Sequence, residues 1–252
     1  MVFFMISLKS SLIYRKGVFF SFFGSVVFIA ISLMLWRVLF ENDSDALSFM
    51  TKYTVISNIV GIFQCRRIAE SIGKKIASGG LAADIAMPVG FFAMSWQIEL
   101  AKICARFILR GVPVILVFLP FLRYGTYFNI GFFLLSLIMG HALSVLMYSL
   151  IGFSAFMLPD VWLPRRLADD TIRLLAGGFF PLAMLPSPIF EIAYAMPFRF
   201  LYSFPLETLL APSGTAQITG GFMILSLWIA MFAAMNILLS RIAFRKALGA
   251  AA

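Results

Sequence analysis

The sequence predicts an all-α integral membrane protein with six transmembrane helices, flanked by short helices at both membrane surfaces. Three observations carry this. First, 62% of the 252 residues are hydrophobic and 12% charged, with a mean hydropathy of +1.00, against about 45–50% and ~25% in water-soluble domains. Second, the apolar residues fall into uninterrupted runs of about 20, the length a helix needs to cross the hydrocarbon layer; barrel strands would instead alternate over ~10 residues. Third, lysine and arginine gather between alternate runs, as cytoplasmic loops require.

Residues 1–16, MVFFMISLKSSLIYRK, mix apolar side chains with Lys9, Arg15 and Lys16 and predict an interfacial helix on the cytoplasmic leaflet. The first span covers 17–40, and ENDSD makes a polar turn after it. The second covers 47–64 and stops at Arg66–Arg67. Then comes RRIAESIGKKIASGGLAADIAMPVG, where Ile68, Ile72 and Ile76 recur every fourth position and form one apolar face. Glu70, Lys74 and Lys75 point elsewhere, Gly79–Gly80 supply a C-terminal stop, and Pro88 bars continuation. The product is a short cytoplasmic surface helix of fixed length.

FFAMSWQIELAKICARFILR is half apolar and leads into a third span, 108–122; RYGTYF closes it and a fourth follows at 129–158. After the charged LPRRLADDTIR, five prolines between Pro181 and Pro205 rule out one straight helix. The expectation is a fifth span at 171–185 and short helices at 189–195 and 198–209. These would dip back from the outer surface as a gate or cap, since broken backbone at membrane depth must be buried or line a cavity. The last span, 218–239, ends in SRIAFRK, and 1–252 reads as one domain.

With both termini cytoplasmic, only Arg37, Lys52, Arg123 and Arg199 fall outside, and the other 16 of the 20 Lys and Arg fall inside. The net charge of +9 therefore belongs to a membrane surface, not to nucleic-acid binding. No cleaved signal peptide is expected, because the first apolar run is too long and lacks a small-residue cleavage site. Cys65 and Cys104 fit neither a metal spacing nor a disulfide framework.

The chain contains no GxxxxGK[ST], GxGxxG, HExxH or GxSxG motif and no Cys/His cluster. No catalytic residue, metal site or bound cofactor is expected. His141 lies midway along the fourth span beside Gly140, with no acidic residue predicted at its depth, and reads as a packing or hydrogen-bonding histidine rather than a proton relay. Glu99, Lys102, Arg106 and Arg110 share one helical face, which reads as cations snorkelling to headgroups or lining a vestibule. Gly177–Gly178 and Gly220–Gly221 permit close helix contacts.

Two passages, IGKKIASGGLAADIAMPVGFF after the second span and GGFFPLAMLPSPIFEIAYAMPFRFLYSFPLETLL before the last, resemble ABC-2 type permeases, the membrane subunits of ATP-binding cassette exporters. Met87 departs from the pattern, since many members carry a basic residue before the proline. The resemblance implies a bacterial cytoplasmic-membrane protein that pairs with a second permease, identical or paralogous, and with two ATPase subunits that bind ATP and magnesium. It implies that 67–88 is the coupling helix, with Arg67, Glu70, Lys74, Lys75, Asp84 and Pro88 meeting the ATPase. It also implies that 186–210 forms outer re-entrant helices, with Pro186, Pro188, Glu191, Pro197, Arg199 and Pro205 in a gate or cap. The substrate class would be hydrophobic or amphipathic: a drug, peptide, lipid or lipid-linked glycan. The alternatives are an ion-coupled secondary transporter, a lipid-modifying membrane enzyme and a structural subunit of a larger complex.

Overall fold

Eleven α-helices and no strand form among the described residues of a computed structural model of the chain, which are 2–13, 15–79, 91–122, 129–158, 160–211 and 214–249. Five helical stretches there are long and apolar enough to cross a membrane: Phe19–Leu39, Ser44–Ala77, Met94–Leu122, Ile130–Phe156 and Thr215–Ile242.

A short helix, α1 (Val2–Ile13), precedes α2 (Arg15–Leu39) and packs against α5 (Phe91–Arg106). Helix α3 (Ser44–Val60) starts where the Asp43 carboxylate accepts the Ala46 amide at 2.9 Å, satisfying an orphan donor of the first turn. It breaks at a 3-10 turn, Gly61–Phe63, and an extended Gln64, and the chain resumes as α4 (Arg67–Ala77). The isoleucine spacing works as expected: Ile68 and Ile72 are fully buried, and Gly79, at φ +70°, ends the helix. Helix α5 runs into α6 (Val112–Leu122) through a π-helical turn, Phe107–Gly111.

Helix α7 (Ile130–Phe153) is the central post. Along it lies α4, so close that a methyl group on Gly152 would stand 3.0 Å from the Ala69 carbonyl oxygen and 2.8 Å from Ile72 Cβ. Helix α11 (Thr215–Gly249) covers another face: Phe222 meets Phe132 at 5.9 Å, and Asn236 donates to the Leu146 carbonyl at 3.0 Å and accepts from Ser149. Those pairings rise together in number, so α11 runs parallel to α7. The α3–α4 stretch is parallel too, because Cys65 meets Ser144 and Ala69 meets Gly152.

The expected fifth span, 171–185, is not a continuous helix. Helix α8 (Trp162–Leu175) has 14 residues, about 21 Å, and stops short of a ~30 Å hydrocarbon layer. Gly177 turns the chain at φ +76°, and Pro181 cannot donate to a continued ladder. A 3-10 turn (Leu182–Met184), α9 (Ser187–Ala195), a second 3-10 turn (Pro197–Leu201) and α10 (Ser203–Leu210) follow. Pro186, Pro188 and Glu191 are exposed, but Pro197, Arg199 and Pro205 are buried. The close approach of Gly140, whose added methyl would meet the Phe200 carbonyl oxygen at 2.8 Å, lays this turn on the middle of α7.

Gly152→Leu is expected to force α4 and α7 apart, at about 1–3 kcal/mol for overpacking. Cys65 is fully buried, so labelling of its thiol during heating in a Cys104→Ser background should begin at a lower temperature in the variant.

Candidate functional site

Where a helix is interrupted, carbonyl oxygens lose their intrahelical donors. Here neighbouring side chains replace them. Tyr53 donates to the Gly177 carbonyl at 2.6 Å, Ser57 to that of Gly178 at 2.7 Å, and Gln64 to that of Leu201 at 2.9 Å. His141 Nδ1 lies 3.0 Å from the Phe63 carbonyl, which can only accept, so that nitrogen carries the proton. The Cys65 thiol packs on the same ring at 3.3 Å. Among the described residues no third metal ligand joins that pair. His141 thus holds the α3–α4 break against α7.

The break after Val60 and the one after Leu175 stand side by side, and between them, α2 and the π turn lies a cavity of about 340 Å³. Three arginines line it: Arg66 just before α4, Arg110 on the π turn and Arg173 in the last turn of α8. Arg66 donates to the Tyr202 hydroxyl at 2.8 Å. Arg110 reaches Ser21 at 3.3 Å and the Asn58 amide oxygen at 3.2 Å. The Arg173 guanidinium sits 4.5 Å from the centre of the Phe179 ring. None of the lining residues is acidic.

The level of the cavity follows from α7. Cys65 meets Ser144, which is about 21 Å from Ile130 and about 14 Å from Phe153 along that helix. Arg66 therefore stands level with the inner part of α7 and not beyond its end, where a cation would simply reach headgroups.

Asp169 of α8 is buried at 5% exposure and joins the cavity to α4 and α7. It pairs with Arg165 at 2.6 Å, accepts from Tyr148 at 2.6 Å and faces Arg66 at 3.9 Å; Arg165 extends the network to Glu70 at 2.9 Å. A second buried carboxylate, Glu99, is held by Lys102 at 2.6 Å and Arg106 at 3.8 Å. Glu99 lies one turn from Trp96, whose ring meets that of His141 at 6.3 Å, so the expectation that no acidic residue lies at the depth of His141 is corrected.

Of the residues expected to meet an ATPase, Glu70 is half-buried and pairs with Arg165 of the neighbouring α8. Arg67 and Lys74 are exposed, Lys75 is half-buried, and Asp84 and Pro88 lie outside the described residues. In the other expected set, Arg199 is buried, stacks on Tyr194 of α9, 3.6 Å from its ring centre, and pairs with Glu207 at 3.6 Å, whereas Pro186, Pro188 and Glu191 are exposed. The arginine cavity was missed by the sequence reading, although each arginine stands near a signal of helix interruption: Arg110 before Gly111 and Pro113, Arg173 before Gly177–Gly178, and Arg66 after the second apolar run.

No protein-family model matches the chain, and neither a curated protein nor a solved structure resembles it significantly.

Proposed function

We propose that the chain is the membrane-spanning, non-catalytic subunit of an ATP-binding cassette exporter in a bacterial cytoplasmic membrane. It would pair with a second permease and be driven by separate ATPase subunits carrying ATP and magnesium. The observation that carries a transport role is the pair of interrupted helices meeting at one level around a polar cavity, inside a bundle of apolar spans. Irregular backbone at that depth is tolerated where it is buried or lines a cavity, and transporters build substrate sites from discontinuous helices. The parallel course of α7 and α11 supports a sixth, broken crossing through 162–214, and with it both termini on the cytoplasmic side.

The ATPase in this reading is supported by the two passages that resemble ABC-2 permeases and by the anchoring of α4. Gly152 and the Glu70–Arg165 pair clamp that helix to α7 and α8, so a push on α4 reaches the arginine cavity through packed contacts. A second reading, ion-coupled transport, is favoured by the buried Glu99 and Asp169. Both are held in ion pairs within the chain.

The test is co-expression with the ATPase encoded by a neighbouring reading frame. The expected result is copurification and ATP hydrolysis absent from the chain alone. Lys74→Glu, on an exposed position of α4, is expected to lower that hydrolysis several-fold without changing thermal stability. Transport that persists without any ATPase and stops when the ion gradient collapses would replace this reading with the second.

A further inference from the structure

We propose that the cavity lined by Arg66, Arg110 and Arg173 binds a phosphate-bearing ligand, and that this phosphate is the polar end of the transported molecule. The inference rests on the transport reading for the purpose of binding, although binding itself needs no ATPase.

The charge arrangement calls for an anion. Three guanidiniums open on one cavity with no lining carboxylate. Asp169 compensates only Arg66, at 3.9 Å, and is held more tightly by Arg165 and Tyr148. Among the described residues, neither Arg110 nor Arg173 has an ion pair, and the Nε of each is buried without a hydrogen-bond partner. Burying like charges together in a weakly polar medium is costly, and an anion bound between them reverses the sign of that term.

Phosphate chemistry fits the donors. Guanidinium forks match phosphate oxygens in bidentate pairs. Tyr202 accepts from Arg66 and keeps its own proton to donate; the Asn58 amide nitrogen is the donor left over when its oxygen accepts from Arg110. The volume, about 340 Å³, lies at the lower end of the ~300–1,000 Å³ of small-molecule sites.

The mouth indicates where the remainder of the ligand goes. Ser21 and Gly24 of α2 are exposed, and beside them Phe19, Phe20 and Phe23 turn 59–72% of their surface outward. A headgroup in the cavity would leave acyl chains against this apolar face. A soluble phosphate ester shares the same recognition chemistry without using that face.

The purified full chain in maltoside micelles, which contain no phosphate, allows both sources to be tested. Three probes are titrated by calorimetry and by shift of the thermal midpoint: dihexanoyl phosphatidic acid, the matching diacylglycerol and inorganic phosphate. Binding of phosphatidic acid well above the other two assigns a lipid headgroup, and equal binding by inorganic phosphate assigns a soluble ester. Arg110→Ala and Arg173→Ala are each expected to weaken binding roughly tenfold or more. Gly24→Leu keeps every charge, and a Cβ there meets no atom within 4 Å, so it should block the cavity without disturbing the fold. Each variant is first compared with the parent for its unliganded thermal midpoint. Binding of neither phosphatidic acid nor inorganic phosphate above that of diacylglycerol, or binding unchanged in Gly24→Leu and both arginine variants, overturns the proposal. That result would leave ATPase copurification untouched, and loss of copurification would leave phosphate binding untouched.

Discussion

Replacing Asp169 with asparagine should destabilise the protein by about 3 kcal/mol, near the lower end of the ~3–5 kcal/mol range for breaking a buried ion pair. The reason is the number of groups that depend on one carboxylate. Asp169 is the common partner of Arg165, Tyr148 and Arg66, on α8, on α7 and ahead of α4. Asparagine keeps the shape and one acceptor but removes the charge. Arg165 would retain Glu70, and the Arg66 side chain is 29% exposed, which places the estimate near the bottom of the range. For a chain of this length that corresponds to a fall in thermal midpoint on the order of 10 °C. Tyr148→Phe deletes a single hydrogen bond and should cost less. Arg165→Leu combined with Asp169→Asn should cost less than the two changes summed, because the pair is removed together. The account fails if Asp169→Asn melts no lower than Tyr148→Phe, since the charge would then contribute nothing.

That network marks the line between what the sequence discloses and what only packing discloses. Helix class, the positions of the first, fourth and last apolar spans, the isoleucine face of α4 and its end at Gly79 rest on length, periodicity and a glycine, all of them local. The interruption at Gly61 is different. No proline marks it, and it is held by Gln64 reaching Leu201 and by His141 reaching Phe63, partners 137 and 78 positions away. Arg66 and Arg173 looked like cytoplasmic-surface cations, and Arg110 like one that snorkels to headgroups or lines a vestibule. A cation's role depends on which helices surround it, and that is tertiary information. Phe200 lying over Gly140 hides in the same way: the proline pattern announces a broken segment but not how deeply it packs. Glu99 and Asp169 are legible only as charges until their cations are found beside them.

The second large effect tests the turn that gives the cavity its shape. Gly177→Ala should cost about 2–5 kcal/mol, from two separable sources. At φ +76° a Cβ is strained by roughly 1–2 kcal/mol. It would also stand 2.9 Å from the Tyr53 hydroxyl and 3.3 Å from Leu182 Cγ, an overpacking of roughly 1–3 kcal/mol. Gly79 provides the control, because its φ is +70° and a Cβ there meets nothing within 4 Å. Gly79→Ala should therefore show the strain alone, and the difference between the variants isolates the packing at the turn. Tyr53→Phe added to Gly177→Ala removes the clashing hydroxyl together with the bond it donates, so the double variant should lose less than the sum. A shift at Gly177 also displaces Gly178 and the last turn of α8, which carries Arg173 into the cavity. Phosphate binding should accordingly weaken in Gly177→Ala and stay at the parent level in Gly79→Ala. Equal destabilisation of the two alanine variants, with phosphate binding intact in both, would mean that the turn tolerates the added methyl and does not set the position of Arg173.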